Sequence, residues 1–334
     1  MSFGNDWTPV RPGQELARVC VSQGERARVL LQGAELEAVV AGALLYAAAN
    51  PAELPVTGDW VAVRRIEPEL VLIEQVLERR SRIARRAAGR RGEEQVLAAN
   101  VDLALIVSGL DGDFNSRRLE RYLAIVRDGG VTPVVVLNKA DLAGDADAVV
   151  KEARRIARSA DVVMISARTG AGCEAIDALL GPGVTGVLLG SSGAGKSTLL
   201  NRLLGAEAQR TAEVRESDGR GRHTTTHREL ITLPSGAALI DTPGLREIQL
   251  IVREESVVAV FDDVAELAAE CRFGDCSHTT EPGCAVRGRV DAARLESFHK
   301  LRREAERVNG ELTEKQRWRS IHKAARQFYK MRGR

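Results

Sequence analysis

The sequence predicts a multidomain protein: an N-terminal β-barrel, a central α/β domain, and a C-terminal, mainly α domain that holds a metal ion. Three observations carry this. Short β-rich runs crowd the first quarter of the chain, apolar strands alternate with helical stretches from Asn100 onward, and three of the five cysteines gather late around a histidine. The expected boundaries are 1-90 for the barrel with an N-terminal extension and basic linker, 91-250 for the α/β domain, and 251-334 for the metal domain with its basic helical tail.

Composition narrows the class. A hydrophobic share of 44% and a charged share of 28% fit a soluble globular protein, and a formal net charge of +2 exerts no global pull on polyanions. The first residues, MSFGNDWTPVRPGQE, lack a basic segment followed by an apolar run, and no stretch offers 18 uncharged apolar residues, so a cytoplasmic protein without a membrane span is expected. Cys20 and Cys173 stand alone and are expected to be buried as small hydrophobes.

The barrel rests on five runs between about Leu16 and Ile83, RVCVS, ARVLLQG, LEAVVAG, DWVAVRRI and ELVLIEQVL, separated by turn-forming or charged residues. Five closely spaced strands suit an OB fold, which often carries oligonucleotides on one face. Trp60 and Tyr46 are the only rings there, few for a stacking platform, so RNA binding and a purely structural barrel both stay open. The arginines that follow, Arg79, Arg80, Arg82, Arg85, Arg86, Arg90 and Arg91, suit either a solvated linker or a phosphate backbone.

Strands apolar throughout, such as VDLALIVS, TPVVVLN and VTGVLLG, alternate with SRRLERYLAIVRD, DAVVKEARRIARS and STLLNRLLG, the pattern of a parallel sheet covered by helices on both faces. Ligands of such sheets bind at the C-terminal ends of the strands, where the motifs fall. Gly190, Ser191, Ser192, Gly193, Ala194, Gly195, Lys196 and Ser197 match G-x-x-x-x-G-K-[ST] between a strand and a helix, with Thr198 next in that helix. Backbone N–H groups there wrap phosphates, Lys196 reaches the β and γ phosphates, and Ser197 offers a hydroxyl to Mg²⁺.

Base identity is read elsewhere. Asn138, Lys139, Ala140 and Asp141 form N-K-x-D, in which Asp141 can accept hydrogen bonds from guanine N1–H and its exocyclic amine; adenine presents no such pair. After the next strand, Ser166 and Ala167 match the short segment whose backbone N–H meets guanine O6. A kinase or ATPase would have no use for Asp141. Asp241, Thr242, Pro243 and Gly244 match the D-x-x-G switch: Asp241 holds Mg²⁺ through water, and the Gly244 N–H senses the γ-phosphate. The glutamine that orients water in Ras-like enzymes is replaced by Leu245, which predicts slow intrinsic hydrolysis. In the polar segment GRGRHTTT, Thr225 is the candidate for a Mg²⁺ and γ-phosphate contact, and His223 a candidate for positioning water or meeting a partner. The guanine motif precedes the phosphate loop, the reverse of the ordinary order, so the domain is a circularly permuted P-loop GTPase.

Cys271, Cys276, His278 and Cys284 read C-x4-C-x-H-x5-C, three thiolates and one imidazole, a set that closes a structural tetrahedral Zn²⁺ site. In the final stretch Lys315, Arg317, Arg319, Lys323, Arg326, Lys330, Arg332 and Arg334 interleave with Trp318, Phe328 and Tyr329, which suits RNA or an amphipathic helix with a solvated basic face.

Taken together, VTGDWVAV, AANVD, NKADL, GSSGAGKST, GRHTTT, DTPGLRE and the zinc spacing resemble the bacterial ribosome small-subunit-dependent GTPase A family (RsgA/YjeQ) across nearly the whole chain. The resemblance implies an OB fold, a permuted GTPase domain and a zinc domain, one structural Zn²⁺, and Mg²⁺ with GTP or GDP. It further implies binding to the small ribosomal subunit and its 16S rRNA late in maturation, with subunit-stimulated hydrolysis coupled to release. A monomer is expected. One departure concerns monovalent cations, because potassium-stimulated GTPases commonly carry asparagine where Gly193 stands. From the residues alone, a general RNA-binding GTPase or a P-loop NTPase serving another RNA-protein particle stays open.

Overall fold

The computed structural model describes residues 11–86, 94–205, 228–242, 252–307 and 310. The five β-rich runs form strands β1 (Glu15–Gln23), β2 (Arg26–Leu31), β3 (Ala34–Val40), β4 (Trp60–Glu67) and β5 (Leu70–Val76), closed in the order β1-β2-β3-β5-β4. All pairings are antiparallel except β3 with β5, which run parallel because a short helix, α1 (Gly42–Ala47), and the following loop carry the chain across before β4. This is the closed five-stranded barrel expected of an OB fold. Alternation places Ala17 and Val19, Ala27, Val29 and Leu31, Val61 and Val63, and Val71 and Ile73 inside, all fully or almost fully buried. Cys20 and Cys173 are buried, as expected of lone free thiols.

Strands β6 (Arg82–Arg86) and β7 (Glu94–Ala99) pair with each other, and a six-stranded sheet follows in the order β10-β9-β8-β11-β13-β12. Its members are β8 (Leu103–Gly109), β9 (Thr132–Asn138), β10 (Asp161–Met164), β11 (Thr185–Gly190), β12 (Glu229–Thr232) and β13 (Ala238–Asp241). Every pair is parallel except β12 with β13. Helices α2 (Ser116–Asp128), α3 (Asp147–Ala157) and α4 (Glu174–Leu179) connect the parallel strands β8 to β11, and α5 (Lys196–Leu204) follows β11. Leu105, Val136, Leu188 and Leu239 pack together from four neighbouring strands, and Ile106, Val135, Val187 and Ile240 beside them in sequence are buried as well, so both faces are covered and the strands are apolar rather than alternating. The chain runs outward from β8 through β9 to β10, then returns to lay β11 against the other edge of β8. That reversal is a topological switch point, the place at the carboxyl ends of the strands where open α/β sheets bind their ligands.

The barrel and the α/β domain belong to one compact unit, and two of the family motifs make their joint. The Ala99 N–H donates to the Thr57 carbonyl, 3.1 Å, and the buried Asn100 donates from Nδ2 to the Gly58 carbonyl, 3.1 Å. Gly58 has φ +92, and a Cβ there would strike the Ala99 carbonyl oxygen, so glycine is required. Arg79 forms two 2.7 Å bonds to the buried Asp59 carboxylate and donates to the Ala52 and Leu54 carbonyls. The first arginine of the basic run is therefore a structural clasp, not a free cation for a phosphate backbone.

The second unit comprises Arg85–Glu94 and Gln249–Arg334. In it α6 (Glu254–Val260), α7 (Asp262–Ala268) and a helix over residues 292–307 (α8) flank an irregular loop that carries the cysteines. Arg294 on α8 is buried, bonds both Asp263 oxygens at 2.6 and 2.7 Å, and lies 4.7 Å over the Phe261 ring. No helix among the described residues is long and apolar enough to cross a membrane.

Candidate nucleotide site and metal centre

The loop from Gly190 to Gly195 turns between β11 and α5. Gly190 has φ +143, and a Cβ there would run into the Val107 carbonyl of β8; Gly195 has φ +95, and a Cβ there would meet the Asn138 amide. The loop thus lies directly on its neighbours. Lys196 is buried and donates from Nζ to the carbonyls of Gly190, 2.9 Å, and Ser191, 2.7 Å. Burial pushes its ammonium below the usual lysine range, and the carboxylates of Asp241 and Asp113 oppose that shift. Asp241, buried at the end of β13, is pushed above the usual carboxylate range by burial, with Lys196 pulling it back. Ser197 and Thr198 are exposed in the first turn of α5.

Asn138 ties three loops together. Its Oδ1 accepts from the Ala167 N–H at 2.9 Å and its Nδ2 donates to the Ala194 carbonyl at 3.0 Å, so one buried amide joins residues 29 and 56 positions away. Lys139 takes the left-handed conformation, φ +66, which turns the chain into the 3-10 turn Ala140–Leu142. The Ala140 N–H donates to the Ile165 carbonyl, 3.0 Å, and sets this turn against the segment after β10. Asp141 accepts the Ser166 hydroxyl on Oδ1 at 2.6 Å and pairs with Arg168 through Oδ2 at 2.9 Å. The Ser166 bond above all holds the Asp141 carboxyl below its ordinary range, keeping it an acceptor. Asn138, Lys139, Ala140, Asp141, Ser166, Ala167 and the phosphate loop therefore meet on one edge of the sheet, and Asp241 closes the far side. His223, Thr225 and Gly244 lie outside the described residues.

Several participants carry no motif. Asp111 accepts the Lys139 ammonium at 2.6 Å, and Asp113 accepts the Ser191 hydroxyl at 2.7 Å. Arg202 of α5 donates to the Ala167 carbonyl, 2.7 Å, and the Arg168 carbonyl, 2.9 Å, bracing the guanine side from beneath the phosphate loop. The available signal for the aspartates was LDGDFN, two acids just past an apolar strand, where parallel sheets place their ligands.

In the second unit the ligand atoms of Cys271, Cys276, His278 and Cys284 all lie within 4.8 Å of one another. His278 Nδ1 stands 3.6 Å from both the Cys271 and Cys284 sulfurs. Zn–S and Zn–N bonds of about 2.3 and 2.05 Å at a tetrahedral angle give an S···N edge of roughly 3.6 Å, so the spacing fits that ion. Backbone N–H groups of Ala285 and Arg287 point at the Cys271 and Cys284 sulfurs at 3.3 and 3.4 Å, the outer bonds that orient thiolate ligands. The cluster can hold a metal.

With β8 rather than β11 opening the sheet and the guanine loop made before the phosphate loop, the fold is that of a P-loop GTPase whose chain has been circularly permuted. The RsgA GTPase family model matches residues 76–251, and the chain belongs to that family. A protein of Opitutus terrae named small ribosomal subunit biogenesis GTPase RsgA is 49% identical over 340 residues, covering 95% of this chain and 92% of that one. The crystal structure of YjeQ from Thermotoga maritima superposes with a TM-score of 0.64 at 25% identity, over 87% of this chain and 98% of that one. YloQ, described as a circularly permuted GTPase, shares the fold at a TM-score of 0.60 and 22% identity, over 90% of this chain and 98% of that one.

Proposed function

We propose that this chain is a GTPase that binds the small ribosomal subunit late in its maturation and hydrolyses GTP to GDP and phosphate, with the subunit stimulating turnover and hydrolysis driving release. The observation that carries the proposal is the Opitutus terrae relative, named as a GTPase of small ribosomal subunit biogenesis, whose similarity spans 95% of this chain. Asp141 reads the guanine edge, and the Ser166-Ala167 segment lies against O6. The N–H groups of residues 190–198 cradle the phosphates, with Lys196 on the β and γ groups. Ser197 and Thr225 are the direct Mg²⁺ ligands and Asp241 a water-mediated one, a hard-oxygen set suited to that ion, which when bound neutralises charge on the phosphates. Gly244 senses the γ-phosphate, and His223 positions water or meets the partner.

The three functional parts are 1-90, 91-250 and 251-334. The ion of the second unit is one structural Zn²⁺: four protein ligands leave no position for water. The protein works in the cytoplasm as a monomer, with 16S rRNA as the nucleic acid it touches. Multiple-turnover GTP hydrolysis measured alone, with purified small subunits and with large subunits tests this. Small subunits are expected to raise the rate by at least about tenfold, as activating partners do when they complete a GTPase site. An equal response to both subunits, or none, overturns the proposal.

A further inference from the structure

Strand β11 is flanked by β8 on one side and β13 on the other, and each neighbour brings an aspartate to its C-terminal end. Asp241, from β13, belongs to a known switch motif. Asp113, from the loop after β8, belongs to none. Its Oδ2 accepts the Ser191 hydroxyl at 2.7 Å and the Gly109 N–H at 3.3 Å, and its Oδ1 accepts Arg118 at 2.8 Å. Arg118 also donates to the Asp113 main-chain carbonyl, so the carboxylate is fixed from the first turn of α2, where Asn115 caps the helix by accepting the Arg118 N–H at 2.9 Å. Two residues earlier, Asp111 takes the Lys139 ammonium at 2.6 Å. One short loop thereby grips the phosphate loop with one acid and the guanine loop with the other.

We infer that Asp113 is a positioning residue of the nucleotide site, setting the phosphate loop for the nucleotide through Ser191. The argument is one of geometry. Ser191 is the second residue of the phosphate loop, and its carbonyl is one of the two that receive Lys196 Nζ, so the side chain that holds Ser191 also sets an acceptor for the lysine. A phosphate loop acts through N–H groups aimed in advance, and an anchored carboxylate that fixes the loop lowers the ordering cost of nucleotide binding. Asp113 cannot itself hold a phosphate, since it carries the same sign of charge. It acts through Ser191 and Lys196.

This inference rests on the proposed guanine-nucleotide chemistry of the same site. The test is a double-mutant cycle of Asp113→Ala and Ser191→Ala in the full-length protein, with Asp113→Asn as the conservative variant. Binding is read with fluorescent GDP, and turnover is split into kcat and KM. Each alanine variant is expected to weaken GDP binding by about tenfold, the cost of one hydrogen bond to a charged group, and the double variant by no more than either alone. Asparagine can still accept from Ser191, so Asp113→Asn is expected to recover most of the affinity. The loss falls on KM with kcat nearly unchanged, because the loop is held alike in ground and transition states. Additive losses, or alanine variants that bind GDP like the parent, overturn the inference while leaving the GTPase assignment intact. A parent protein that binds no guanine nucleotide overturns both.

Discussion

The nucleotide site and the metal centre are built in opposite ways. The first draws its side chains from Asp111 to Asp241, at the C-terminal ends of five different strands or just past them, and is assembled by the sheet that aligns those strand ends. The second draws four ligands from Cys271 to Cys284, in a loop with few buried apolar residues, so little besides an ion can hold it together. One site is carried by the fold and the other carries its own segment. Perturbing a nucleotide residue therefore costs binding while leaving the scaffold, whereas perturbing a metal ligand costs the local structure itself.

Removing the metal is the largest of these perturbations. Structural zinc contributes on the order of 10–16 kcal/mol of apparent binding energy in small metal-dependent domains. Cys276→Ser, or treatment with a strong chelator, is expected to abolish stoichiometric metal and strip amide-exchange protection from residues 271–290. The nucleotide site belongs to the other compact unit, so GDP affinity is expected to shift by about twofold or less. Mass spectrometry, exchange and fluorescent-nucleotide titration on one sample check all three, and a fold that keeps its protection without metal would break the comparison.

Asp141→Asn comes next in size. The substitution replaces a carboxylate that Ser166 and Arg168 hold ionised with an amide that donates from one side, so GTP affinity is expected to fall roughly 10–100-fold and xanthosine nucleotides to gain. Competition between the two nucleotides measures it, and unchanged guanine preference would contradict the role given to Asp141. No unfolding should accompany the change, because Asp141 sits on a surface turn supported by the Ala140 backbone bond to Ile165.

What could be read in the sequence follows the same division. The barrel was legible because each of its five strands shows its own apolar pattern, and the metal cluster because its ligands are close in sequence. The phosphate and guanine loops were legible one at a time, each as a local pattern. The bonds between them were not. Asn138 to Ala194, Asp113 to Ser191 and Asp111 to Lys139 depend on β8 lying between β9 and β11, a neighbourhood set by topology across as many as 78 positions of chain. In sequence Arg79 reads as part of a basic stretch for the same reason: its partner Asp59 sits 20 residues upstream on a turn that only the closed barrel brings within reach.

The smallest effect sits just outside the metal ligands and asks how far the loop shapes itself. Glu281 gathers the segment between Cys276 and Cys284 around one carboxylate: Oε1 accepts from the Ser277 N–H at 2.8 Å and from its hydroxyl, and Oε2 from the N–H groups of Thr279 and Thr280 at 3.0 Å. These bonds, the Ser277 hydroxyl first, draw its carboxyl down from 4.5 to about 2. A depressed carboxyl stabilises the loop fully above the unfolded value of 4.5 and loses that contribution as pH falls toward 2. It is therefore charged throughout the range in which thiolates and a neutral imidazole bind metal. Glu281→Gln removes the charge and leaves a single carbonyl acceptor for four donors, so metal affinity is expected to drop about tenfold, the lower end for groups that orient ligands. That drop should be the same from roughly pH 6 to 8, since no Glu281 titration intervenes there, and chelator competition at several pH values measures it. An unchanged affinity would mean that the ion alone shapes the loop, sharpening the contrast with a nucleotide site whose loops are set by the sheet.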